Sequence, residues 1–139
     1  MSKENVEAVY RAYDAMRRHD IEAFVQEQHP DVVGVIHVMQ AEGAVYRGHA
    51  GMRQFLEEIF SVFPNWGPEV VQADDHGDVV VAEIRLIGRG VRSGIEIEQN
   101  MWQVLKFRDG KAISFHGYGS RAEALESVGL SEQDVQAES

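Results

Sequence analysis

Apolar residues change their spacing several times along the chain, and each spacing predicts an element. Val6, Val9, Tyr10, Tyr13 and Met16 recur at intervals of three and four, which makes one stripe of an opening helix. Arg17, Arg18 and His19 follow where the helix dipole favours positive charge. Asp20 predicts the N-cap of a second, short helix through Ile21, Phe24 and Val25, ended by His29-Pro30-Asp31. The β-branched run from Val32 to Met39 predicts a strand, Glu42-Gly43 a turn, and Val45-Tyr46-Arg47 a short second strand. A third helix is expected over 49–62, with Met52, Phe55, Leu56, Ile59, Phe60 and Phe63 as its stripe and Pro64-Asn65 as its stop.

The second half reads almost wholly as strands, over 66–74, 79–87, 95–107 and 112–119. Between them lie the turn Asp75-His76-Gly77-Asp78, a glycine-rich hairpin over 88–94, and the tight hairpin turn Arg108-Asp109-Gly110-Lys111. Ser120-Arg121-Ala122-Glu123 has capping-box form and opens a last short helix that Gly129 ends. Helices first, a strand pair with a helix after it, then an antiparallel meander predict an α+β fold, with helices on one face of a curved sheet.

Composition narrows the chemistry. The chain has 139 residues, which suits one domain with one core. It contains no cysteine, so disulfides, thiolate metal sites and a cysteine nucleophile are excluded. Thirteen Lys and Arg against twenty-three Asp and Glu give a net charge of −10, which repels phosphate backbones; nucleic acid is not an expected partner. The longest apolar runs, such as Val79-Val80-Val81-Ala82, fall far short of the roughly 20 residues of a membrane span. Charged residues near the start leave no apolar signal core, so a cytoplasmic protein without a membrane partner is expected. The acids Glu123, Glu126, Glu132, Asp134 and Glu138 stand in the tail without a base, and residues 131–139 are expected to form a flexible acidic end. The six histidines are scattered without ligand spacing, so neither a metal nor a cofactor is expected.

The joints between elements carry a resemblance. Asp20-Ile21-Glu22-Ala23-Phe24-Val25, Tyr46-Arg47-Gly48-His49-Ala50-Gly51, Phe107-Arg108-Asp109-Gly110-Lys111, Ser120-Arg121-Ala122-Glu123-Ala124-Leu125 and Gly129-Leu130 stand in the order found in nuclear transport factor 2-like folds. The chain resembles in particular the SnoaL-like branch, named for a polyketide cyclase, which is also similar to ketosteroid isomerase. The resemblance covers roughly residues 3–130 and implies one cone-shaped, cystatin-like domain over 1–130. A bent, mostly antiparallel sheet would wrap the N-terminal helices around an apolar cavity. It also implies a dimer through the outer sheet face.

The family's catalytic groups are not kept in register. Aligned on the Asp20 motif, the oxyanion-holding Tyr of ketosteroid isomerase falls on Ala12, beside Tyr13, and its base falls on Ile36, beside His37. Aligned on Phe107-Arg108-Asp109-Gly110, the acid falls on Gln103. The Arg-x-Asp pair and last-strand Asp of limonene-epoxide-hydrolase-like members fall on Ile84, Leu86 and Gly117. The last strand, where the cyclases carry an acid, has no carboxylate.

Strand alternation then sorts the faces. With Gln103 inward, Gln99, Met101, Leu105, Ile84, Leu86, Ile113 and Phe115 share the interior, while Glu83, Arg85, Asn100, Trp102, Val104, His116 and Tyr118 face out. Trp66, Met16, Phe55, Ile59 and Phe115 read as core and cavity wall together. A small apolar molecule is the expected partner, lined also by Ile36, Leu86, Gln99 and Met101. Any catalysis would be acid–base work of isomerase, cyclase or hydratase type. Gln103 would orient a ligand oxygen, and Tyr13 or His37 would move the proton; an imidazole near its ordinary pKa suits that task at neutral pH. The alternative is a non-catalytic binding or dimerisation module, with Arg85, Trp102, His116 and Tyr118 at the homodimer surface.

Overall fold

The computed structural model describes residues 3–36, 44–89, 94 and 96–131. The opening stripe forms α1 (Lys3–Arg17), which buries Ala8, Val9, Ala12, Ala15 and Met16. Tyr10, expected on that stripe, is exposed, because the three alanines carry the close packing and turn its position outward. The helix closes with the Asp20 amide donating to the Ala15 carbonyl and the His19 amide to Met16, while His19 takes a left-handed φ of 58°. Asp20 then caps α2 (Ile21–Gln26) by accepting from the Ala23 amide at 3.1 Å.

β1 (Gln28–Ile36) begins directly after the C-cap Glu27, so His29-Pro30-Asp31 lies inside the strand instead of ending the helix. Proline has no amide to donate, and Pro30 falls in the stretch where the pairing register of β1 shifts. β2 (Ala44–Arg47) returns antiparallel to β1, and α3 (Gly48–Val62) follows. The meander is β3 (Glu69–His76), β4 (Val79–Arg89), β5 (Glu96–Arg108) and β6 (Lys111–Tyr118). Asp109 and Gly110, both at positive φ (53° and 77°), make the two-residue β5–β6 turn.

The six strands form one sheet in the order β2-β1-β6-β5-β4-β3. All neighbours are antiparallel except β1 and β6. The concave side holds α1, α2 and α3 around the main core, which includes Val9, Val25, Met52, Leu56 and Ile59. A register shift after Lys106 sets Ala112 opposite Phe107 in that core, so Ile113, expected inside by simple alternation, is not part of it.

The convex side is also covered in part. Ser120 caps α4 (Arg121–Glu126) by accepting from the Glu123 amide at 3.2 Å. Ala124 and Leu125 of α4 form a second core with Val81 and Val104, against which Trp102 and Tyr118 pack. Helices therefore lie on both faces of the sheet, not one. Elsewhere on this face Arg85 pairs with Glu98, Glu83 accepts from the Asn100 amide at 2.6 Å, and His116 stacks on Tyr118 with ring centres 4.7 Å apart. No helix among the described residues is long and apolar enough to cross a membrane.

Candidate functional site

Between α1, α2, α3 and the concave sheet lies a cavity whose water-accessible volume is about 40 Å³. Such a volume exceeds the roughly 10–15 Å³ that one water needs on this measure, so the interior is not completely filled by side chains. α1 contributes Ala12, Tyr13 and Met16, a turn-spaced set whose small member leaves room beside the phenol. Phe24 comes from α2 and Phe55 from α3; Trp66 and Pro68 come from the α3–β3 connection. The sheet adds Gln28, Leu86, Met101, Gln103, Leu105 and Phe115.

Two glycines let the sheet approach this space. Gly117 stands opposite Gln103, and a Cβ there would lie 2.3 Å from Met101 Cε and 3.4 Å from Gln103 Nε2. Gly34 stands beside Phe115, and a Cβ there would meet the phenyl ring at 2.3 Å. Each methyl would enter volume that a wall side chain occupies.

Three wall residues each carry a buried polar atom with no hydrogen-bond partner among the described residues: Gln28 Oε1, Gln103 Oε1 and Trp66 Nε1. The groups around them are held in place. Gln28 Nε2 donates to the Phe24 carbonyl at 3.4 Å, while His49 Nε2–H donates to the Gln28 carbonyl at 2.8 Å. Gln103 Nε2 donates to Met101 Sδ at 3.7 Å, a weak bond to a thioether. The Trp66 carbonyl accepts from His19 Nε2–H at 3.3 Å, and His19 stacks on Phe60 at 4.0 Å, tying the α1–α2 corner to α3. Burial pushes the Tyr13 phenol well above its ordinary pKa, so at neutral pH it is a proton-bearing donor. The described wall residues include no carboxylate and no imidazole. Among the described residues no cluster of His, Asp or Glu is arranged to hold a metal ion.

Of the residues singled out from the sequence, Tyr13, Met16, Phe55, Trp66, Leu86, Met101, Gln103 and Phe115 meet at this one cavity. Ile59 is completely buried in the main core and does not reach the cavity wall. Gln99 is exposed, as are Glu96, Glu98 and Asn100 around it, because this end of β5 stands clear of the helices. Ile36 ends β1 opposite Ala44, and its side chain lies outside what is described. His37 lies outside the described residues.

Gln28 and Phe24 were not found from the sequence. Gln28 adjoins a segment read as a helix stop, which hid its place in a strand. Parity counted back from Val32 does not reach it, because Pro30 is exposed and the register of β1 shifts between Gln28 and Val33.

The SnoaL-like domain family matches residues 9–115. No functionally curated protein matches the chain. Among solved structures, TerC co-crystallised with polyporic acid is 25% identical, with a TM-score of 0.73 over 88% of this chain and 96% of that one. A putative SnoaL-like polyketide cyclase from Jannaschia sp. CCS1 is 21% identical, with a TM-score of 0.71 over 84% and 85%. An NTF2-like protein of unknown function from Burkholderia pseudomallei is 18% identical, with a TM-score of 0.75 over 91% and 98%. The matched stretch runs from the first helix into the last strand, across nearly every element that builds the cavity, and the chain belongs to the SnoaL-like domain family.

Proposed function

We propose that the chain binds a small, largely apolar organic molecule in this cavity and orients it by hydrogen bonds from the wall. The observation that carries the reading is the pairing of an apolar enclosure with three buried, unpartnered polar atoms. A buried polar group without a partner costs about 1–3 kcal/mol, which a bound ligand would recover. Aromatic and Met side chains on several walls adapt to a flat ring at small cost. The small organic molecule crystallised with TerC supports the same class of ligand.

Acid–base chemistry, if the bound molecule reacts, falls to Tyr13 as the proton donor to a developing oxyanion. Its raised pKa keeps the phenol proton in place as a hydrogen-bond donor to that oxygen and rules it out as a general base at neutral pH. Gln103 orients the ligand at a second group, its Oε1 accepting from a ligand O–H. A purely binding role is the second reading, favoured by a described wall without carboxylate or imidazole.

Ligand binding is tested by thermal unfolding and Trp66 fluorescence against a panel of small neutral ring compounds, with Trp66→Phe separating its signal from that of Trp102. Ligand at a hundredfold excess over Kd stabilises by about 2.7 kcal/mol. A panel that shifts neither midpoint nor fluorescence at millimolar concentration rejects the proposal. Exchange of ketone α-protons into deuterated water, lost in Tyr13→Phe, separates an enzyme from a binder.

A further inference from the structure

The three unpartnered atoms have a definite polarity, and that polarity constrains the ligand. Gln28, Gln103 and Trp66 are 3%, 7% and 2% exposed, so bulk water does not serve them. The orientation of the Gln28 amide follows from its neighbour: Nε2 faces the Phe24 carbonyl, and reversing the amide would set two oxygens together. The amide nitrogen of Gln103 faces the thioether of Met101. Both amide oxygens are left as acceptors in need of hydrogen, and Trp66 Nε1 is a donor in need of a lone pair. The two acceptors enter from strands on either side of β6, Gln28 opposite Ala112 and Gln103 opposite Gly117.

We infer that the ligand is a neutral hydroxylated ring compound, whose O–H groups donate to Gln28 Oε1 or Gln103 Oε1 and whose oxygen accepts from Trp66 Nε1. This rests on the binding function proposed above and narrows it. A hydrocarbon leaves all three atoms unpaired. A ketone or an ether brings acceptors only, so it serves Trp66 and leaves both amide oxygens bare. A carboxylate adds a buried negative charge where the described wall has no cation. An ammonium group serves the oxygens, leaves Trp66 unpaired, and buries a charge without a counter-ion. A hydroxyl both donates and accepts, and is uncharged. Tyr13, held protonated by its burial, is a further partner for the same group.

The test is calorimetric or NMR titration of the full chain with toluene, anisole, phenol, benzoate and benzylammonium, repeated on Gln28→Met and Gln103→Met. Phenol is expected to bind about tenfold tighter than anisole or toluene, one satisfied buried group amounting to roughly that factor. One or both variants are expected to lower the phenol-to-anisole ratio toward one and to keep toluene affinity, which also reports an intact fold and cavity. Anisole or toluene matching phenol, or either ion binding more tightly, overturns the inference but leaves the binding function standing. An unchanged phenol-to-anisole ratio in both variants overturns it too. Failure of all five to bind overturns both.

Discussion

Replacing Gln103 by Met is predicted to make the free protein more stable while weakening its binding of hydroxylated ligands. The residue is 7% exposed, its Oε1 has no partner among the described residues, and its side chain there makes one weak hydrogen bond, to Met101 Sδ. Removing a buried unpaired acceptor returns about 1–3 kcal/mol, and a thioether of similar length fills the same volume. Losing the contact to sulfur offsets part of this, so a net gain of about 1–2 kcal/mol is expected. For a chain of 139 residues, an unfolding entropy of about 2.1 cal/mol/K per residue converts 1 kcal/mol to about 3–4 °C, so the midpoint rises by roughly 3–7 °C. Urea unfolding followed by circular dichroism checks the sign: the midpoint concentration increases with an unchanged m-value. A destabilised variant would refute the reasoning, because it would mean that the oxygen is already satisfied in the free protein by ordered water in the cavity.

The wall glycines are predicted to separate stability from site shape. Gly34→Ala drives a methyl into the rigid Phe115 ring and is expected to cost about 1–3 kcal/mol, whereas Gly117→Ala meets the mobile end of Met101, costs less, and reduces ligand affinity by narrowing the cavity; denaturation and titration of both variants check this. Leu125→Ala, at a wholly buried position between α4 and the convex face, is expected to cost about 2–5 kcal/mol in urea unfolding, and a loss below 1 kcal/mol would contradict the packing of α4 on Val81 and Val104. Tyr46 is raised to about 12, first by burial and then by its hydrogen bond to Glu58. Its folded pKa lies above the unfolded value near 10, so its contribution is complete below pH 10 and is lost as pH rises from 10 towards 12. Unfolding curves across that window should fall less steeply for Tyr46→Phe than for the parent, and equal slopes would remove Tyr46 as a cause.

Local rules made most of the elements legible. The stripe through Val9 and Met16, the Asp20 cap, the Asp109-Gly110 turn and the Ser120 cap each depend on residues within one or two turns of each other. So does the alternation that places Met101, Gln103 and Leu105 on one face of β5. Alternation fails where pairing slips: the shift after Lys106 exchanges Ile113 for Ala112, and the shift within β1 conceals Gln28 behind Pro30. Neither slip has a local signature, since each depends on how one strand meets its partner.

The sequence by itself determined the α+β order, the apolar character of the interior and the absence of thiol chemistry, because helix period, strand period and turn residues act over a few positions. Tertiary structure alone decided that β1 lies parallel to β6, that α4 closes part of the convex face over Trp102 and Tyr118, and that Gln99 stands outside while Gln28 stands within. It alone decided that Gln28, Gln103 and Trp66, each with a buried polar atom unpartnered among the described residues, line one cavity. Whether a polar atom is satisfied depends on every group that folding brings within about 3 Å of it, and those groups come from the whole length of the chain.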